Sequence, residues 1–332
     1  GDAHDLERSL AERGFCLVRG IPTAISAAEF EQHFVHKPLK GLTQGFAYRE
    51  GAEVAEPISE PSLGGAPVPP ELAESAAVVA RYYAETVAAV KKALPNLTAA
   101  VGFNQVARSS AAPPVDPVAL NAFDGNIDPP AIGGVHTDAT EESGFGSATA
   151  QFLALDQGAL GGHGMVDLQA HRYELYWLNL WRNVNPAQPI LNDHLAILDR
   201  SSLSRDDVET HKLDFDGYQI EQLLLKSHMP HHRWTYFSEM AADEILIFPQ
   251  GRGVAERDGP GEEWRFEMPD SPHPESIMHM GVHDPRHPEA GRHSQENRFC
   301  AIVRADAPAA AKLPLGPRPG PGTTPAATPA KL

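Results

Sequence analysis

Cysteine is scarce in this sequence: among 332 residues there are two, Cys16 and Cys300. Two cysteines so far apart in the chain provide neither a disulfide framework nor a thiolate zinc site. Low cysteine content is typical of proteins from reducing compartments, and we therefore expect a cytoplasmic protein.

Long hydrophobic runs and positive charge are also in short supply. No apolar stretch reaches the ~20 residues that span a bilayer, and the polar residues 1–10 contain no signal-peptide core. The 27 Lys and Arg residues face 44 Asp and Glu residues, which gives a net charge of −17. Because nucleic acids and anionic membranes repel such a chain, we expect neither as a partner.

Two common catalytic motifs are missing as well. The sequence has no glycine-rich phosphate loop with its lysine and no Gly-x-Ser-x-Gly elbow. The second absence argues against a nucleophilic hydrolase. Histidine, by contrast, is plentiful, with 16 residues.

The sequence does contain enough apolar residues for a large core, since 42% are hydrophobic and 21% charged. Apolar positions at helical spacing, ended by Pro95, predict a helix over 71–94. Aromatic residues predict a strand over 173–184. Further strands are predicted at 15–22, 101–108, 194–199, 244–248 and 299–303. Residues 144–154 suit either a helix or a strand, whereas 37–70 and 109–134 are predicted loops, the second over a site mouth.

Several unevenly spaced strands with one dominant helix predict a mainly β protein with flanking helices. We expect a single domain over residues 1–304, in which residues 1–99 support a core that begins near residue 100. Residues 305–332 consist mainly of Pro, Ala, Gly and Thr, and this composition predicts a disordered tail. No feature of the sequence predicts an oligomeric state.

The most informative motif is His136-Thr137-Asp138, which follows Gly133-Gly134-Val135. A His and an Asp two residues apart on an extended segment point to the same side, so both can bind one metal ion. His279, far downstream, is the candidate third ligand of a facial triad. Such a triad leaves coordination positions on Fe(II) open for oxygen and substrate.

Other histidines compete for this role. The cluster His228, His231 and His232 surrounds Met229 and Pro230 without a nearby Cys, and we interpret it as a solvated loop. Four more histidines flank His279, and periodicity alone does not choose among them: His273, His283, His287 and His293.

An arginine is needed if the metal site takes a 2-oxo dicarboxylate, because the planar guanidinium binds a carboxylate with two parallel hydrogen bonds. Arg298 is the candidate, and the alternative is a surface ion pair with Glu296. Tyr236 is a second candidate contact for a bound carboxylate, or else a core residue with its hydroxyl at the edge.

Arg182 is a third candidate for binding the co-substrate. Strand alternation places it on the face of Leu178 and Leu180, opposite Asn179 and Trp181. A buried arginine requires an anionic partner, which is either the co-substrate or substrate, or an acidic residue such as Glu174. Phe103, Asn104 and Arg108 lie on a predicted strand that is able to face the same pocket.

Four blocks of the sequence, in order, resemble the Fe(II)/2-oxoglutarate-dependent oxygenases typified by fungal gibberellin desaturase and the cephalosporin 7-alpha-methoxylation proteins. The first is 135–140 (Val-His-Thr-Asp-Ala-Thr), and the second is 177–184 with 189–190 and 195–199. The third is 232–237 with 240 and 243–248, and the fourth is 279–285 followed by Arg292, Ser294, Glu296 and Arg298. The blocks cover roughly residues 100–304, and the departures from the family fall near the substrate side.

The resemblance implies a double-stranded β-helix (jelly-roll, cupin-like) core. It selects His279 among the neighbouring histidines, so that His136, Asp138 and His279 bind iron and Arg298 binds the far carboxylate of 2-oxoglutarate. It also implies oxidation by O2 of an unactivated C–H bond in a small molecule, as hydroxylation, desaturation or oxidative cyclisation in secondary metabolism. Three alternatives stay open: a triad iron oxidase without 2-oxoglutarate, a zinc hydrolase, and a non-catalytic jelly-roll binding protein.

Overall fold

The computed structural model describes residues 2–30, 32–33, 45–50, 56–58, 73–109, 134–157, 168, 170–215 and 218–305. The predicted loop 109–134 and the predicted tail 305–332 lie outside these ranges except for their end residues. The prediction of one domain over residues 1–304 therefore stays a prediction.

Four α-helices lie within the described ranges: α1 (Ala3–Arg13), α2 (Ala27–Phe30), α3 (Ala73–Ala93) and α4 (Glu141–Asp156). Helix α3 confirms the predicted helix over 71–94. Helix α4 shows that residues 144–154 are helical, and it begins where the Thr140 side chain accepts a hydrogen bond from the Ser143 amide.

The described strands are β1 (Cys16–Val18), β2 (Gly45–Arg49), β3 (Glu56–Ile58), β4 (Leu97–Ser109), β5 (Arg172–Asn183), β6 (His194–Leu198), β7 (Val208–Phe215), β8 (Tyr218–Leu225), β9 (Trp234–Thr235), β10 (Ile245–Glu256), β11 (Arg265–Glu267), β12 (His279–Val282) and β13 (His293–Arg304). The predicted strands within 15–22, 101–108, 173–184, 194–199, 244–248 and 299–303 are confirmed. The predicted loop over 37–70 is wrong at β2 and β3, because β2 pairs with the distant strand β4. The β7–β8 hairpin was not predicted.

All strand pairs of the described residues are antiparallel, and they form a larger sheet, a smaller sheet and the separate β7–β8 pair. The larger sheet has the order β1-β10-β5-β13-β4-β2-β3, with β11 paired to β10. The smaller sheet has the order β12-β6-β9. His136 forms isolated bridges to His279 of β12 and to Leu224 of β8, and so it joins the β7–β8 hairpin to the smaller sheet.

The first face of the larger sheet packs against helices. Leu178, Leu180 and Ala301 share a buried cluster with Val87 and Val90 of α3. Successive strand side chains point to opposite faces, so the neighbours of these residues point the other way.

The second face of the larger sheet carries the site. Trp181 and Phe248 of this face share a buried cluster with Leu195 and Ile197 of β6, so the two sheets face each other there. Phe152 and other residues of α4 cover the far part of the same face. The protein is thus mainly β with flanking helices, as the sequence predicts, and its site lies between the sheets.

Both cysteines are buried and free. None of the helices in the described part of the chain is long and apolar enough to cross a membrane.

Candidate metal centre

His136 pairs directly with His279 of β12, at the edge of the smaller sheet. The His136 amide donates to the His279 carbonyl at 3.2 Å, and the His279 amide donates to the His136 carbonyl at 3.0 Å. Because residues that exchange two backbone hydrogen bonds carry their side chains on the same face, the two imidazole rings are neighbours. Their centroids are 4.6 Å apart.

Asp138 joins this pair because its segment is extended. Its Oδ1 lies 3.8 Å from Nε2 of His136 and 3.9 Å from Nε2 of His279. The intervening Thr137 is fully buried on the opposite side, where its hydroxyl accepts from the Leu223 amide at 2.8 Å. One ligand atom from each of the three residues lies within 4.8 Å of the others. The structure thus brings together the three residues that the sequence predicts as ligands, and their metal binding stays a prediction.

Both imidazole rings are oriented by backbone carbonyls. Nδ1 of His136 lies 2.8 Å from the Gly134 carbonyl oxygen, and Nδ1 of His279 lies 3.1 Å from the Ile277 carbonyl oxygen. A carbonyl only accepts, so each Nδ1 carries the hydrogen and each Nε2 offers a lone pair. Burial lowers the pKa of both rings, which keeps them neutral as metal ligands must be.

The second oxygen of Asp138 is held by two other donors. Asn179 Nδ2 donates to Oδ2, and Arg298 Nη2 lies 3.2 Å from the same oxygen. Burial alone would raise the pKa of Asp138, but the charge of Arg298 and the hydrogen bond from Asn179 hold it well below the usual range. The carboxylate is therefore ionised, with Oδ1 facing the imidazoles and Oδ2 anchored.

The donor set fits a divalent transition metal such as Fe(II). Two neutral imidazoles and one carboxylate are the ligands of the two-His, one-carboxylate triad. The hydrogen bonds from each Nδ1 and to Oδ2 are the outer-shell contacts that such ligands usually have.

A cavity that is partly open to solvent lies against this group. Besides the three residues, its walls include apolar side chains from both sheets, namely Trp181, Leu195 and Met280. Charged side chains from β4 and β13, and from the segment before β13, also line it: Arg108, Glu296 and Arg292. The side chains of Phe103 and Asn104, predicted to face this pocket, lie outside the described part of the structure.

Arg292 is a site residue to which the sequence analysis gave no role. It is 2% exposed, and its Nη1 donates to the Asp193 carbonyl at 2.6 Å. Burial and the charge of Arg108 lower the pKa of Arg292 to about 9. A bound anion would therefore be stabilised here. Its position in the fourth family-like block was the only sequence signal.

Arg298 reaches the site, where it contacts two carboxylates of the protein itself. Its Nη2 contacts Asp138 at 3.2 Å and Glu296 Oε1 at 3.3 Å. The predicted alternative, an ion pair with Glu296, is thus present, although the Arg298 side chain is half-buried rather than at the surface. Its binding of 2-oxoglutarate stays a prediction.

The structure does not bring Arg182 to the site, and that prediction is wrong. The Arg182 guanidinium is on the α3 face of β5, where it pairs with Glu85 and donates to the carbonyls of Ala242 and Ile21. Glu85 of α3 rather than Glu174 is the anion, because Glu174 lies eight residues, or about 26 Å, away along β5.

Tyr236 also lies away from the site, which corrects its predicted contact. It follows β9, the edge strand of the smaller sheet, and is 44% exposed. Its ring packs on His194 with a centroid distance of 5.0 Å.

Hydrogen bonds to Asp207 account for the clustering of His231 and His232. Asp207, His231 and His232 have ligand atoms within 4.8 Å of one another. His232 Nδ1 accepts from the Met229 amide at 3.1 Å, so its Nε2 carries the hydrogen and donates to Asp207 at 3.3 Å. His228 and His231 are exposed and His232 is buried, so the predicted solvated loop describes the first two histidines but not His232.

Among solved structures, the chain is similar to the iron and alpha-ketoglutarate-dependent endoperoxidase NvfI. A variant of that enzyme aligns with a TM-score of 0.52 and 18% identity, over 91% of this chain and 84% of that chain. NvfI in a different conformation aligns with a TM-score of 0.53 and 18% identity, over 91% of this chain and 83% of that chain. These likenesses show a shared fold. No curated protein matches the chain.

The class of the protein follows from a family match over most of the sequence. Residues 66–298 match a family of oxidoreductases, and the protein is an oxidoreductase. The chain belongs to that family, which is described in full as "Oxidoreductase/YMDC permease-like domain".

Proposed function

We propose that the protein is an Fe(II)/2-oxoglutarate-dependent oxygenase that oxidises an unactivated C–H bond of a small molecule. The observation that carries this proposal is the convergence of His136, Asp138 and His279, with both Nε2 atoms facing one carboxylate oxygen. The fold shared with an iron and alpha-ketoglutarate-dependent enzyme supports the same cofactor and co-substrate. We propose further that the two facing sheets are the two sides of a double-stranded β-helix.

Each of the three residues has a defined task in this proposal. His136 and His279 bind the metal through Nε2 while their Nδ1 hydrogens stay on backbone carbonyls. Asp138 binds through Oδ1 while Arg298 and Asn179 hold Oδ2. The iron, with a 2-oxo acid and O2, supplies the oxidising chemistry.

The cavity walls surround the metal ligands and place the co-substrate. Trp181, Leu195 and Met280 provide apolar surface beside the metal ligands. We assign the far carboxylate of 2-oxoglutarate to Arg292, which lines the cavity, rather than to the predicted Arg298. Arg298 does not belong to the described lining of the cavity, and its Nη2 contacts the Asp138 carboxylate instead.

Anaerobic absorption spectroscopy tests the proposal. Iron(II) and 2-oxoglutarate together should give the purified protein a weak visible charge-transfer band that neither component gives alone. His279→Ala should lose the band because an imidazole ligand is gone. His283→Ala is the matched control: this neighbouring histidine is 59% exposed and should leave the band intact.

The other possible functions give different results. Bound iron without the band, but with substrate oxidation, would indicate an oxidase that does not use 2-oxoglutarate. Selective zinc binding with hydrolysis would indicate a hydrolase, and metal binding without turnover of any co-substrate would indicate a binding protein. Each of these results would overturn the proposal.

The substrate is proposed at the level of class. We propose a small molecule of secondary metabolism, from the resemblance of four sequence blocks to gibberellin desaturase and the cephalosporin 7-alpha-methoxylation proteins. Hydroxylation, desaturation and oxidative cyclisation all begin at a C–H bond held beside the metal, so the cavity wall selects among them.

A further inference from the structure

Gln250 occupies an irregular position next to the metal centre. The register between β10 and β5 shifts between Pro249 and Gly251, so Gln250 has no partner residue in that pairing. Such bulges redirect a side chain and are frequent near active sites. The Gln250 side chain is fully buried.

The amide of Gln250 connects two segments that carry metal ligands. Its Oε1 accepts from the Asp138 amide at 2.7 Å, and its Nε2 donates to the Ile277 carbonyl at 3.0 Å. The same Ile277 oxygen accepts the His279 Nδ1 hydrogen at 3.1 Å. One side chain therefore contacts the backbone of Asp138 and the carbonyl that orients the His279 ring.

The backbone around Gln250 is fixed by separate contacts. The Ser276 hydroxyl donates to the Gln250 carbonyl at 2.7 Å, and the Ile277 amide donates to the Pro249 carbonyl at 3.0 Å. Gly144 of α4 packs so close that a Cβ there would collide with the Gln250 carbonyl. These contacts hold the main chain, so a change confined to the side chain tests the amide itself.

We propose that Gln250 is a positioning residue that sets the placement of Asp138 relative to His279 for metal binding. This role rests on the proposed function in one respect, namely that the three residues bind a divalent metal. The primary amide suits the task because it accepts through one atom and donates through another.

Cobalt(II) binding tests this role without 2-oxoglutarate, oxygen or turnover. Gln250→Met keeps the approximate volume and removes the hydrogen bonds to Asp138 and Ile277, together with a longer one from Nε2 to the Pro249 carbonyl at 3.3 Å. Because loss of an outer-shell contact typically costs about 10- to 100-fold in metal affinity, we expect the Kd for Co(II) to rise by that factor. The visible d–d absorption of bound Co(II) should also change, since the ligand geometry changes.

Ser276→Ala is the matched control. It removes a buried hydrogen bond to the Gln250 backbone carbonyl and leaves the side-chain amide of Gln250 unchanged. We expect both variants to lower the Tm and only Gln250→Met to change the Kd and the Co(II) spectrum. Should Gln250→Met fail to fold, Gln250→Asn provides the comparison, because its shorter amide cannot reach both partners.

The outcomes separate this role from the proposed function. A wild-type Kd and spectrum in the Gln250 variant, or an equal loss in Ser276→Ala, would overturn the positioning role alone. No Co(II) binding by the wild-type protein would overturn both the role and the proposed metal centre.

Discussion

Asp138 uses its two carboxylate oxygens for different purposes. Oδ1 faces the imidazoles of His136 and His279, whereas Oδ2 is 3.2 Å from Arg298 Nη2. A carboxylate held at one oxygen presents the other in a fixed direction, which is the usual role of an outer-shell donor. In the proposed function Arg298 therefore holds Asp138, and the far carboxylate of 2-oxoglutarate is assigned to Arg292.

Alanine variants of the two arginines separate these tasks. Arg292→Ala should raise the apparent KM for 2-oxoglutarate about 10- to 100-fold, because charge-assisted hydrogen bonds contribute ~1.5–3 kcal/mol. Arg298→Ala should weaken iron binding instead and leave the KM at saturating iron nearly unchanged. Steady-state kinetics over a matrix of iron and 2-oxoglutarate concentrations measures both effects. An increase in KM confined to Arg298→Ala would show that Arg298 rather than Arg292 binds the far carboxylate of 2-oxoglutarate.

Strand β5 shows how one element serves two layers. Asn179 and Trp181 point to the site, where the first contacts Asp138 and the second lines the cavity. Arg182 points to α3, where it is 1% exposed and paired with Glu85. A period of two residues thus separates site chemistry from the ion pair that joins the sheet to the helix.

Arg182→Ala should therefore destabilise the fold without affecting metal binding. Removing one partner of a buried ion pair leaves the other charge uncompensated, at a cost of about 3–5 kcal/mol. Arg81→Ala is the control, on the helix α3 that also carries Glu85. Arg81 pairs with Glu29 at the surface, where such a pair contributes ~0–1 kcal/mol. Urea unfolding gives the two stabilities, and equal losses would contradict the argument.

The molecule as a whole carries several groups whose pKa is shifted by burial. Burial lowers the pKa of His136, His279 and His194 in the folded state. In the unfolded chain their pKa returns to about 6.5, so below this pH the unfolded state binds more protons. The free energy of unfolding then falls as pH decreases. Burial raises the pKa of Glu296, which acts in the opposite direction.

We expect the Tm of the metal-free protein to fall between pH 7.5 and pH 5.5. The decrease should be smaller in the double variant His136→Ala/His279→Ala, because two groups that resist protonation in the fold are gone. Thermal melts of both proteins across this range measure the difference. Parallel curves would show that these two histidines are protonated as easily in the folded protein as in the unfolded chain.

The sequence by itself predicted much of the local structure. Helical spacing gave α3, and aromatic content gave β5 with the correct faces for Trp181 and Arg182. The two-residue spacing of His136 and Asp138 predicted that both point one way. These features depend on periods of two or 3.6 residues, which can be read within a short segment.

Only the tertiary structure decided which distant residues meet. The bridge between residues 136 and 279, the pairing of Arg182 with Glu85, and the bulge that turns Gln250 towards Asp138 each join segments far apart in the chain. Such pairings depend on how whole sheets and helices pack, and no local period encodes them. For the same reason Arg292, which no spacing distinguished from Arg298, emerged as a site residue only when the cavity walls were known.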